Sequence, residues 1–86
     1  MIDDVVFRGE GVTVRRGDVA WSSKDGRFIA ARVGFREVGR TFRMVAAYTA
    51  IDTVERSVLY PWHGKREAIA DAKNLASKAS RCATAQ

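Results

Sequence analysis

Eighty-six residues, 47% of them apolar and 29% charged, make one domain that is too apolar for disorder. Its core must be thin, because at this length only about 60% of the unfolded surface is buried on folding. The net charge of +5 favours a polyanion as partner if the charges cluster, and the lone cysteine, Cys82, excludes an intrachain disulfide and a cysteine-built zinc site.

In chain order, Met1-Ile2-Asp3-Asp4 lacks the basic leader of a signal peptide, and the longest mostly apolar run, Met44 to Ile51, is too short to span a bilayer. A cytoplasmic protein with no membrane contact is expected. Val5-Val6-Phe7 and Gly11 to Arg15 read as strand material, and Gly17-Asp18 breaks the run before Val19-Ala20-Trp21. Ser22 to Gly26 ends in an Asp-Gly pair, which supplies positive φ cheaply and signals a hairpin into a strand from Arg27 to Arg36. Glu37 to Arg40 is a second turn, followed by a long strand from Thr41 to about Ala50. Ile51-Asp52 makes a third turn, and Thr53 to Tyr60 a fourth strand that Pro61 stops.

From Lys65 the hydrophobic period changes from two to 3.6, the mark of a helix. Ala68, Ile69, Ala72, Leu75, Ala76, Ala79 and Cys82 share one face, with Ile69 and Leu75 as its anchors and Gly64 as N-cap. The expected architecture is α+β: an antiparallel meander of about four strands and one C-terminal amphipathic helix, in a single domain over residues 1–82, with 83–86 as a frayed tail.

The strand from Thr41 is apolar on both sides, with Phe42, Met44, Ala46 and Tyr48 pointing one way and Val45 and Ala47 the other. One helix covers one face of a sheet. The second face calls for the N-terminal strands curling over it, a second copy of the chain in a homodimer, or another protein.

Catalytic chemistry is scarce. His63 is the only histidine and sits in a connector, Asp52 and Glu55 form no positioned pair, and Ser22, Ser23 and Ser57 have no nucleophile-elbow context. Gly9-Glu10-Gly11 lacks the third glycine and the helix of a phosphate loop. The chain reads as no enzyme, with no cofactor, no metal and no small-molecule substrate.

Binding is the better-supported class. Residues 27 to 43 hold Arg27, Arg32, Arg36, Arg40 and Arg43 against one acid, Glu37, although arginine outnumbers lysine eleven to four in the whole chain, as GC-rich coding would also produce. Arginines interleaved with aromatic residues suit a sheet that holds phosphates and stacks bases. Phe35, in phase with Ile29 and Val33, and Phe42, in phase with Met44, read as core. Phe28, in phase with Arg32 and Arg36, reads as exposed, and Trp62 as a second exposed ring. Lys65 and Arg66 stand at the start of the helix, where they oppose its dipole and gain nothing as helix stabilisers. The expected nucleic-acid contacts are therefore Arg32, Arg36, Arg43, Lys65, Arg66 and Phe28.

Gly64-Lys65-Arg66-Glu67-Ala68, opening an alanine-rich helix after a meander, resembles the end of double-stranded-RNA-binding domains, which implies phosphate contacts for Lys65 and Arg66. The chain lacks that family's first helix. The order of four strands and a helix also resembles Whirly-like single-strand-binding coactivator folds, which pair as dimers. A different class remains open: small cysteine-poor chains without catalytic groups are common among phage and mobile-element proteins that occlude a host protein machine, inhibitors of CRISPR effectors included. A protein-protein adaptor fits the same features.

Overall fold

The computed structural model describes residues 4–39 and 43–84, and the side chains of these apart from Val38 and residues 80–84. Expectations for Arg40, Thr41, Phe42, the Cys82 side chain and the last two residues of the tail lie outside the described residues.

The chain folds as α+β. Strands β1 (Val5–Gly9) and β2 (Val12–Arg15) form an antiparallel hairpin. Its two-residue loop places Glu10 at φ 48° and Gly11 at φ 78°, the pair of positive values that matches the right-handed twist of the flanking strands. A single 3-10 turn, Arg16–Asp18, leads into β3 (Val19–Ser22). The main sheet is antiparallel in the order β3-β4-β5-β6, with β4 Phe28–Val38, β5 Arg43–Asp52 and β6 Ser57–Val58. Helix α1 (Lys65–Thr84) follows, so it continues past residue 82, where the tail was expected to begin.

The two faces of β4 and β5 are covered differently. On one, Ala68 and Ala72 of α1 lie fully buried against Ala30 and Ala50, so that four alanines let the helix backbone approach the sheet closely. Ile69 and Leu75, expected as the buried anchors, are half-buried at the margin of this cluster with Trp21 and Tyr48. On the other face, Phe7, Val12 and Val14 of the N-terminal hairpin close over Ile29, Ala31, Ile51 and Val58. The chain thus covers its own second face. The double apolarity of β5 needs no second copy, because curling of the N-terminal strands satisfies it.

The expected fourth strand shrinks to Ser57–Val58 because Asp52 builds a turn in front of it. The Asp52 carboxylate accepts hydrogen bonds from the backbone N–H groups of Val54 and Glu55 at 3.0 and 3.1 Å and from the Arg27 guanidinium at 3.1 and 3.0 Å. Arg56, at φ 58°, then reverses the chain. Beyond β6 the backbone stays tied to β5. Leu59 N–H donates to the Ala50 carbonyl at 3.1 Å, the Thr49 hydroxyl to the Leu59 carbonyl at 2.7 Å, and Tyr48 and His63 exchange backbone bonds of 2.7 and 2.8 Å.

Strand β3 pairs with β4 only through Ala31, and the last contact on the β5 side is His63 opposite Tyr48. Past those points β4 and β5 continue as a two-stranded ribbon, Gly34–Val38 against Arg43–Ala47. No helix among the described residues is long and apolar enough to cross a membrane.

Candidate nucleic-acid interface

A β-bulge decides where the predicted residues point. The β4–β5 register pairs Arg32 with Tyr48 but Gly34 with Ala47, so Val33 is an extra residue on β4. Such an insertion inverts the inward and outward alternation beyond it. Arg32 and Arg36, four apart and expected on one face, therefore lie on opposite faces. Arg32 shares the helix side with Tyr48, whereas Arg36, opposite Val45, lies on the hairpin side. Arg43 is in phase with Val45 and Ala47 and joins Arg36 there.

Phe35 moves the other way. Read in phase with Ile29 it belongs in the core, but the bulge turns it to the helix side opposite Ala46, beyond the reach of α1, and it is 62% exposed. Met44, diagonal to it across the ribbon, is 57% exposed. Phe28, before the bulge, is only 5% exposed, with the Arg27 guanidinium 4.8 Å over its ring, so it is corrected from a stacking residue to a core one.

The cations differ in how free they are. Arg32 donates to Asp18 at 2.8 Å, in an ion pair that already occupies its guanidinium. Arg27 is likewise held by Asp52 at 3.0 Å. Among the described residues Arg36, Arg43, Lys65 and Arg66 make no ion pair. Arg43, Lys65 and Arg66 are exposed, and Arg36 is half-buried. A Cβ added at Gly64 would lie 3.5 Å from Arg36 Nη2, so Arg36 reaches the residue before the helix start. The structure therefore brings Arg36 to Gly64, the residue before Lys65 and Arg66, while Arg32 is engaged by Asp18. Glu67, the one acid of the first helical turn, lies 3.1 Å from His63 Nδ1.

Sequence reasoning missed a second group. The hairpin buries Phe7, Val12 and Val14 and turns Arg8, Thr13 and Arg15 outward, a plain period-two alternation. Arg8, Arg15, Arg16 and Arg56 are all exposed without an ion pair among the described residues. Of the acids near them in sequence, Asp18 is paired with Arg32 and accepts the Arg15 backbone N–H, and Glu10 accepts the Val58 N–H at 2.8 Å and keeps its charge. The Arg56 guanidinium donates to the Arg8 carbonyl and lies 5.7 Å over the Phe7 ring.

Between the two cationic groups stands an aromatic pair. Tyr60 and Trp62 stack with ring centroids 5.8 Å apart and planes at 25°. Trp62 is half-buried beneath the ribbon, and a Cβ at Gly34 would come within 3.2 Å of its ring, close enough that the ring would have to shift by a few tenths of an ångström to admit it. Tyr60 is 60% exposed, its hydroxyl 3.4 Å from the Glu10 carbonyl. Trp62 Nε1 and Arg36 Nε are buried donors with no acceptor among the described residues. Pro61 was legible only as a strand stop, and nothing in the local pattern announced that its two neighbours would stack.

No group of three or more His, Cys, Asp or Glu side chains among the described residues is placed to hold a metal ion. No family model matches the chain, and neither a curated protein nor a solved structure matches it.

Proposed function

We propose that the protein binds nucleic acid through its unpaired cations: Arg36 and Arg43 on the hairpin side of the ribbon and the outward arginines of the N-terminal hairpin, with Lys65 and Arg66 at the helix start beside them. The observation that carries this reading is the division of ion pairs. The acids near Arg27 and Arg32 neutralise those two, while the arginines of the ribbon's hairpin side and of the hairpin's outer face have no ion-pair partner among the described residues. Unpaired guanidinium groups on one side of a small domain supply the electrostatic attraction on which phosphate binding rests.

The test is the salt dependence of affinity for an oligonucleotide. Replacing Arg36 and Arg43 together with glutamine lowers the slope of log affinity against log salt by about 0.7 to 0.9 for each lost phosphate contact. Arg32→Gln leaves the slope where it was, because that guanidinium already serves Asp18. Equal loss per charge removed in both variants would point to net charge alone, and no binding at low salt would end the reading.

One observation favours a second reading, a binder of another protein or of a second copy of itself. Phe35 and Met44 form an exposed apolar pair on the helix side of the ribbon, away from the arginines. Replacing both by serine separates the readings. Loss of a protein partner or of self-association with oligonucleotide affinity retained assigns this face to protein contact.

A further inference from the structure

We infer that the outer face of Tyr60 is a stacking site for an unpaired base, so that the nucleic acid recognised is single-stranded. The inference rests on the nucleic-acid reading above and adds the class of ligand.

Tyr60 has the geometry of a platform. Its inner face rests on Trp62 at 5.8 Å and 25°, yet the residue remains 60% exposed, which leaves the opposite face of the ring to solvent. The segment bearing it is pinned at both ends. Leu59 is bonded to Ala50 and to Thr49 on one side, and His63 exchanges two backbone bonds with Tyr48 on the other. Trp62 is wedged against Gly34. A ring held this way presents its face without the ordering cost that a mobile side chain would pay on binding.

Charge is arranged on both sides of it. Toward the ribbon, the Arg36 guanidinium lies close to Gly64. Toward the hairpin, the Tyr60 hydroxyl approaches Glu10, next to Arg8 and the Arg56 guanidinium bonded to it. Glu10, an acid in this line, has its carboxylate turned to the Val58 N–H. Cations flanking an exposed ring fit a strand whose phosphates run past on either side while one base turns inward. A duplex cannot use the ring, since its bases are stacked on one another and their faces are closed. Ribose and deoxyribose strands share this chemistry.

The experiment compares four probes by competition and fluorescence anisotropy: oligo-dU and oligo-rU of about twelve nucleotides, a duplex of the same length, and inorganic polyphosphate, which carries the charge without bases. The single strands bind more tightly than the duplex or polyphosphate, and the better of the two identifies the preferred sugar. Tyr60→Leu weakens single-strand binding by about 5- to 150-fold and leaves polyphosphate binding unchanged, whereas Tyr60→Phe keeps the ring and the affinity. Without any substitution, saturating quenching of tryptophan fluorescence accompanies single-strand binding, as a base comes to rest on the ring stacked on Trp62. A preference for duplex, an unchanged affinity in Tyr60→Leu, or binding without quenching overturns the stacking site. If the double glutamine variant at Arg36 and Arg43 still lowers the salt slope in those cases, the cationic reading stands without it. Failure of every probe to bind removes both.

Discussion

Asp52 shows how one side chain can serve a turn, a strand end and an ion pair. Its carboxylate sits at the end of β5, caps the turn through two backbone N–H groups and clamps Arg27 from the start of β4. The Arg27 hydrogen bonds, aided by those of Glu55 and Val54 and opposed by burial, hold its carboxyl below the ordinary value of 3.8. A depressed carboxyl pKa contributes stability above the unfolded value and loses it as pH falls through the folded value. Asp52→Asn keeps an oxygen for the turn but removes the charge that Arg27 faces. Because Arg27 is a third exposed, solvent moderates the loss to about 1 to 2 kcal/mol near neutral pH. Urea midpoints check this, with the gap between wild type and variant closing below pH 3.8 as the wild-type carboxyl takes up its proton. A gap that persists in acid would mean that the cost lies in packing and not in charge.

At the scale of elements, α1 reverses the usual ranking of large and small side chains. Ala68 and Ala72 have no exposed surface, while Leu75 sits half-buried at the margin. Leu75→Ala therefore costs about 1 to 2 kcal/mol, less than full burial of a leucine would imply. Ala72→Leu costs about 1 to 3 kcal/mol or more, since the added atoms must displace Ala30 and Ala50 or lift the helix from the sheet. Thermal melts of the two variants rank them, and a milder effect at Ala72 would show that helix and sheet are loosely joined. The helix itself was legible because its 3.6 period runs from Lys65 through the alanines, and β4 because Asp-Gly announces it. The bulge at Val33 was not. No residue there marks it, since Gly34 reads equally well as an ordinary strand glycine, and one unmarked insertion was enough to exchange the positions of Phe35 and Arg36. The same silence hid Phe35 of the exposed apolar pair, because period-two counting across a bulge assigns the later residues of β4 to the wrong face, whereas Met44 on β5 keeps the face that its period gives and is exposed there.

For the whole molecule, β4 and β5 form the common wall of two thin cores. Ile29, Ala31 and Ile51 face the N-terminal hairpin, while Ala30 and Ala50 face the helix. Half of the candidate site was legible for the same reason that the wall was: Arg36, Arg43, Lys65 and Arg66 stand beside strong strand and helix signals. The hairpin arginines and the Tyr60–Trp62 pair emerge only once long-range contacts bring residues 8, 10, 34 and 60 together. That dependence on the wall has a thermodynamic consequence. Neither layer has enough apolar area to persist alone, so loss of one exposes the shared strands and removes the other. The two tryptophans report on the layers separately, Trp21 packing with the helix cluster and Trp62 with the hairpin cluster. In Trp21→Phe the remaining fluorescence follows the hairpin side, and in Trp62→Phe the helix side. Each variant, unfolded in urea, shows one transition whose fluorescence midpoint coincides with that of far-ultraviolet circular dichroism. Ile51→Ala, which opens a cavity under the hairpin at a fully buried position, lowers both midpoints together by about 2 to 5 kcal/mol. A helix-side signal that survives while the hairpin-side signal is lost would show two separately stable layers. The platform formed by Tyr60 and Trp62 could then open without unfolding the helix and sheet.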